Sequence, residues 1–419
     1  MADLNATPSG NRLHIGFFGK TNSGKSSFIN AFAGHDVSIV ADVPGTTTDP
    51  VYRAMEILPL GPCELIDTAG FCDESELGEE REKKTRLAAD KSDLAVILIA
   101  ADTIPEKFIN IADADYDAFQ TAFPSEDKWF AAFKDKKIPV LFVISKADIC
   151  GQKKADRFAK VIRDATDAET IAISNKQGGF TDIVKEKLAA MAGERTEKTI
   201  LGGLVNNGDL VMLVMPQDIQ APKGRLILPQ VQTIRELLDR KCRVICTTTD
   251  KYIESLDSLK NPPDLIITDS QGFAVVYEGK PEKSRLTSFS ILFAGYKGDI
   301  SYYVEGAKKI PELKEDSKVL IAECCTHAPL EEDIGRVKLP RMFRKIAGEG
   351  LQVDIVSGSD FPENLKEYDL IVQCGACMFN RQHVMSRINK AKEAGVPMTN
   401  YGTSIAQITG ILDKVTLPK

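Results

Sequence analysis

"GKTNSGKS", Gly19 to Ser26, is the stretch on which the fold of this 419-residue chain turns. It fits G-x-x-x-x-G-K-[ST] and lies between the apolar run "LHIGFFG" and the helical pattern "KSSFINAFAG". That is the strand–loop–helix context a phosphate-binding loop requires. Glycines let backbone N–H groups turn inward around phosphates, and the helix N-terminus adds positive potential there. Gly19, Asn22, Ser23, Gly24, Lys25, Ser26 and Ser27 are therefore candidate nucleotide contacts, with Lys25 reaching the β- and γ-phosphates and Ser26 ligating Mg2+. By itself the match reads equally well as a Gly/Ser turn capping a helix.

Three further loops decide between these readings. "DTAG", Asp67 to Gly70, ends the next buried strand, where Asp67 can reach Mg2+ through water and the Gly70 N–H can meet the γ-phosphate. "SKAD", Ser145 to Asp148, follows another buried strand. Asp148 can accept from both the N1–H and the exocyclic amine of guanine, a donor pair adenine lacks, while the Lys146 stem packs on the base. "ISNK", Ile173 to Lys176, follows the last strand, so that Ser174 and Asn175 complete the base pocket. Four loops in this order, each at the C-terminal end of a strand, predict a P-loop GTPase domain of the α/β class, a parallel sheet with helices on both faces.

This domain is expected over residues 12–192, after a disordered lead-in at 1–11, with Ile104 to Lys137 as a modest insertion. "GERTEKTILGGLVNNGD" is polar and Gly-rich and reads as a linker. Two smaller α/β domains follow, over 193–283 and 284–419, with strands such as "DLVMLVMP", "DLIITD", "KVLIAE" and "DLIVQCG". A hydrophobic content of 43% and a charged content of 27% are those of an ordinary soluble protein. No apolar run approaches a membrane span, and the N-terminus lacks a signal-peptide pattern, so the expected location is cytoplasmic, with no membrane partner. The net charge of −7 argues against nucleic acid as the main partner.

Nine cysteines, an odd number scattered over a long chain, argue against a disulfide framework. Their clustering matters more. In "AECCTH" extended geometry points Cys325 and His327 the same way and Cys324 the other way, as a small buried hydrophobe. "QCGACMFN" supplies Cys374 and Cys377, a C-x-x-C whose sulfurs can converge on one metal. Both pairs sit just past predicted parallel strands, where ligands of open α/β sheets gather. A lone C-x-x-C is common, but its pairing with C-x-H is not. On softness alone, structural zinc and an iron–sulfur cluster fit equally.

Residues 12–192 resemble the translation-factor-class GTPases of the branch that includes Era and the tRNA-modification GTPases, through "GKTNSGKSSFINAFAG" and "DVPGTTTDP". The resemblance implies that Thr47 coordinates Mg2+ when GTP is bound, and that Asn22 helps hold a potassium ion. Phe71 follows Gly70 where Ras-like enzymes carry a water-orienting glutamine, which implies slow intrinsic hydrolysis. Ser145 stands where the guanine motif usually has asparagine, which implies weaker nucleotide affinity.

Over nearly its whole length the chain resembles the FeFe-hydrogenase maturation GTPases, the HydF family, in its order of GTPase domain, middle α/β domain and C-terminal C-x-H…C-x-x-C. That resemblance implies a 4Fe–4S cluster on Cys325, Cys374 and Cys377, with His327 or an exchangeable ligand in the fourth position. It further implies a GTP/GDP switch, a transient diiron precursor, homodimerisation through the middle domain, and partnership with radical-SAM maturases and apo FeFe-hydrogenase. Two alternatives remain open from the residues: an RNA-associated GTPase with structural zinc, and a redox-sensing iron–sulfur GTPase.

Overall fold

The computed structural model describes residues 7–34, 50–70, 78–105, 108, 115–174, 179–193, 198–216, 226–324 and 333–419. The chain divides into two compact units, Met1–Thr196 and Glu197–Lys419. Among the described residues no helix is long and apolar enough to cross a membrane.

The first unit is built on six strands: β1 (Leu13–Gly19), β2 (Val51–Ile57), β3 (Gly61–Asp67), β4 (Leu94–Ala100), β5 (Val140–Ser145) and β6 (Glu169–Ala172), in the order β2-β3-β1-β4-β5-β6. Five of them run parallel, as their apolar composition predicts. The sixth, β2, pairs antiparallel with β3 at the sheet edge. It departs from the all-parallel expectation because most of its residues face solvent, so it carries neither an apolar run nor a regular alternation. Successive residues of β1 feed opposite faces. Phe17 packs with Phe28 and Phe32 of the Lys25–Ala33 helix, and Phe18 packs with Trp129 and Phe133 of the Pro124–Asp135 helix. Fully burying each such ring contributes about 1.5–3 kcal/mol. With β1 pinned from both sides, the loop that follows Gly19 emerges from a fixed strand end.

The second unit holds two four-stranded sheets, all parallel. Strands β7 (Leu210–Val214), β8 (Arg243–Thr247), β9 (Leu265–Thr268) and β10 (Arg285–Ser288) lie in the order β10-β9-β7-β8. Strands β11 (Lys318–Ala322), β12 (Gln352–Val356), β13 (Leu370–Gln373) and β14 (Met398–Asn400) lie in the order β12-β11-β13-β14. The two sheets share one core, in which Met212, Ile266 and Leu286 join Val319, Leu370 and Val372. Strand β10 falls within the stretch 284–419 expected for the last domain, yet it pairs with β9 and belongs to the middle sheet. Four residues are too few for their pattern to say which sheet they complete.

The last residues of the chain return to the middle sheet. The Thr416 N–H donates to the Leu286 carbonyl at 2.7 Å, and the Lys419 N–H donates to the Gly202 carbonyl at 3.0 Å. Pro418 seats against Gly202 and Gly295, where a Cβ would approach its side chain to 2.4 and 2.6 Å.

Candidate functional site

Because β1, β3, β5 and β6 are parallel, the loops after them open at one edge of the sheet. The loop after β1 turns through left-handed Asn22 (φ 63°) and Gly24 (φ 84°) into the helix that starts at Lys25. Lys25 is buried, and its Nζ donates to the Gly19 carbonyl at 3.2 Å and the Lys20 carbonyl at 3.4 Å. Burial lowers its pKa to about 8, against the attraction of Asp67, which is itself buried at the end of β3. Ser26 is half-buried, Ser27 and Asn22 are exposed, and the Ser23 Oγ is buried without a hydrogen-bond partner among the described residues. Gly70 abuts the phosphate loop so closely that a Cβ would come within 2.7 Å of the Thr21 nitrogen. This contact explains why no larger residue fits after "DTA".

The guanine-motif loop is tied to the phosphate loop directly. Ser145, fully buried, donates its hydroxyl hydrogen bond to the Ser23 carbonyl at 2.7 Å. The serine that stands where the guanine motif usually has asparagine thus joins its loop to the phosphate loop. Lys146 takes a left-handed conformation (φ 57°) and its Nζ pairs with Asp102 at 3.1 Å. Asp148 accepts from the buried Ser174 hydroxyl at 2.9 Å, and the Ala147 N–H donates to the Ile173 carbonyl at 3.0 Å. Asp148 and Ser174 are thus joined directly, while Lys146 pairs with Asp102. Thr47, Phe71, Asn175 and Lys176 lie outside the described residues.

Sequence reasoning missed a second tie. Lys20, inside the phosphate loop, pairs at 3.2 Å with Glu126, which is 2% exposed and belongs to the Pro124–Asp135 helix. The same helix pairs with the Gly78–Lys91 helix through Lys128–Glu82 at 2.7 Å, and Lys136, the residue that follows it, pairs with Asp90. The stretch expected to be an insertion therefore packs on the nucleotide loop.

In the second unit, Cys324 follows β11, and Cys374 and Cys377 follow β13. Since β11 and β13 are adjacent and parallel, both strand ends deliver cysteines to one place. The Cys374 sulfur accepts from the Cys324 N–H at 3.1 Å and the Ala376 N–H at 3.4 Å. A hydrogen bond from the Cys324 thiol, aided by these two N–H groups, lowers the Cys374 pKa below the usual thiol value against the effect of burial. Cys324 is buried as expected but is not a plain hydrophobe: its sulfur accepts from Gln373 Nε2 at 2.9 Å and from Arg387 at 3.7 Å. Lys297, 2% exposed, donates to the carbonyls of Ala376 and Cys377, each at 3.2 Å, and of Phe379 at 2.6 Å. Burial lowers its pKa to about 8, while the charges of Cys377, Cys324 and Cys374 act to raise it.

A thiol with a lowered pKa, N–H groups aimed at sulfur and cations close by suit a thiolate-bound metal or metal–sulfur group. Cys325 and His327 lie outside the described residues, and among the described residues no three His, Cys, Asp or Glu side chains are grouped to hold a metal. Lys297 and Arg387 were missed by sequence reading. Arg387 does carry a signal, because it shares a helical face with Val384, Ile388 and Ala391, all buried.

A P-loop GTPase domain joined to a pair of fused α/β sheets with clustered cysteines is the class these two units define. Residues 14–146 match a family model described as a 50S ribosome-binding GTPase, residues 200–298 the hydrogen maturase F dimerization domain, and residues 301–418 the hydrogen maturase F tetramerization domain. The chain belongs to the hydrogen maturase F family, and its first unit is a GTPase domain.

Among curated proteins it is 31% identical over 198 residues to the tRNA modification GTPase MnmE of Nitrosomonas eutropha, covering 46% of this chain and 38% of that one. It is 35% identical over 130 residues to GTPase Der of Caldicellulosiruptor saccharolyticus, covering 30% of this chain and 29% of that one. The chain thus spans about a third of the length of the curated relatives it matches. Among solved structures it is similar to Aquifex aeolicus Era bound to GDP and aluminium fluoride, at 16% identity and a TM-score of 0.35 over 64% of this chain and 97% of that one.

Proposed function

We propose that this chain binds and hydrolyses GTP and carries a 4Fe–4S cluster, serving as a scaffold that assembles a diiron precursor and delivers it to apo FeFe-hydrogenase. The observation that carries the reading is the pairing, in one chain, of a GTPase domain with hydrogen maturase F domains whose strand ends gather cysteines. In the first unit Lys25 neutralises the β- and γ-phosphates, Ser26 and Thr47 hold Mg2+, Asp67 reaches the metal through water, and the Gly70 N–H meets the γ-phosphate. Asp148 reads guanine, with Lys146, Ser174 and Asn175 shaping the base pocket. Asn22 helps hold a potassium ion whose charge stands in for the missing glutamine.

In the second unit Cys325, Cys374 and Cys377 hold the cluster, with His327 or an exchangeable ligand at the fourth position. Bound by three thiolates, the cluster would supply an iron able to take and release a ligand. GTP turnover switches the exposure or partner affinity of this unit rather than driving iron chemistry. Residues 200–298 form a homodimer contact, and the radical-SAM maturases and apo-hydrogenase are transient partners.

The test is anaerobic activation of apo-hydrogenase with purified maturases. Wild type should activate, Cys374→Ser should fall to background while keeping GTP turnover, and Lys25→Ala should lose turnover. Full activation by Cys374→Ser would sink the scaffold reading.

A further inference from the structure

Two cations, Arg387 and Lys297, are buried beside the cysteines. Arg387 lies in the interior, where its guanidinium donates to Gln373 Oε1 at 3.3 Å, the Cys324 sulfur at 3.7 Å, the Gly358 carbonyl at 2.6 Å and the Asp360 carbonyl at 3.2 Å. It also faces the rings of Phe361 and Phe379, at 5.0 and 5.6 Å. All of these partners are neutral groups or thiols. Among the described residues Lys297 donates only to backbone carbonyls, those of Ala376, Cys377 and Phe379. Among the described residues neither cation has a carboxylate within ion-pair distance. Glu323, a buried acid one residue before Cys324, is paired with Arg336 at 3.0 Å.

A buried cation without an anion is strongly disfavoured, so two of them beside the cysteines favour negative charge there, on the thiolates and on what the thiolates hold. Three thiolates on a dicationic iron–sulfur core leave a net anion, and a cyanide-bearing iron precursor is also negative. A zinc held by the same three thiolates and a neutral histidine would be a net anion too, so the charge alone does not distinguish the two metals.

We propose that Lys297 and Arg387 make the surroundings of Cys374 and Cys377 selective for anionic ligands, Lys297 also positioning the C-x-x-C turn through its three carbonyl contacts. The inference rests on the reading that these cysteines hold a metal–sulfur group, and it names the charge class that the site accepts. The cations act through the field on the sulfurs and on whatever binds them; neither is a ligand.

The test uses the iron-free full-length chain and two thiol reagents of similar size, neutral iodoacetamide and anionic iodoacetate, with Cys374 and Cys377 alkylation followed by peptide mass spectrometry. Taking the ratio of the two rates cancels the thiolate population, leaving the field at the sulfur. In Lys297→Met and Arg387→Met the iodoacetate-to-iodoacetamide ratio should fall about fivefold or more, while Lys297→Arg should hold it within about twofold. If Arg387→Met does not fold, the Lys297 pair decides alone. A ratio unchanged within about twofold in Lys297→Met overturns the proposal even where the protein still takes up iron and sulfide. A ratio that falls in a protein that takes up no iron upholds the anion selectivity and removes the cluster reading instead.

Discussion

Ser145 shows how one hydroxyl can hold two nucleotide loops together. Its bond to the Ser23 carbonyl is buried and long-range, so Ser145→Ala leaves a buried carbonyl unpaired. The expected result is a loss of about 1–2 kcal/mol in stability of the first unit and a roughly tenfold weaker GDP affinity, measured by urea unfolding and fluorescent-nucleotide titration. Unchanged affinity would remove the brace.

His14 gives a pH prediction of definite sign. It is buried between Glu64 at 3.3 Å and Asp93 at 3.6 Å. Burial opposes its charge, yet hydrogen bonds and charges from Asp93 and Glu64 raise its pKa to about 9. A raised folded pKa means that the stabilisation is complete below the unfolded value near 6.5 and is lost as pH rises through about 9. The unfolding free energy of wild type minus that of His14→Gln should therefore shrink by about 2–3 kcal/mol between pH 6.5 and 9.5. Lys25 titrates in the same window with the opposite tendency, which is why the difference between the two proteins is the quantity to follow.

At the scale of elements, the Pro124–Asp135 helix is the link between the phosphate loop and the Gly78–Lys91 helix. Its contacts are unequal. Glu126 is buried against Lys20, whereas Lys128 and Glu82 are both largely exposed, at 56% and 42%. Exposed pairs contribute little, while a buried carboxylate that organises a loop contributes more. Glu126→Ala should lower the stability of the first unit by about 1–3 kcal/mol, and Glu82→Ala by less than about 1 kcal/mol, by chemical denaturation.

Legibility followed the same division. The loop after β1 was readable because its glycines, lysine and flanking strand and helix are all local features. Strand β2 was not, because an exposed edge carries no periodic signal. The Ser145–Ser23 and Lys20–Glu126 ties join residues more than a hundred positions apart, and no local pattern encodes them. Extended alternation placed Cys324 inside correctly but could not say that Gln373 and Arg387 would surround its sulfur.

On the scale of the whole molecule, each unit has its own core, and the second unit is fastened by the end of the chain. Removing Thr416–Lys419 deletes the bonds to Leu286 and Gly202 and the Pro418 contact, so the second unit should melt several degrees lower while GTP turnover by the first is kept. Turnover lost in parallel would show the units to be less independent than their separate cores imply.

The most direct measurement of the central claim is anaerobic reconstitution of the full chain with ferrous iron and sulfide, followed by iron and zinc analysis and spectroscopy of the dithionite-reduced protein. The account predicts about four irons per chain in wild type, with a reduced-cluster signal, and loss of both in Cys374→Ser and Cys377→Ser while nucleotide binding persists. One tightly held zinc in place of iron, or iron content undiminished in both serine variants, would contradict it.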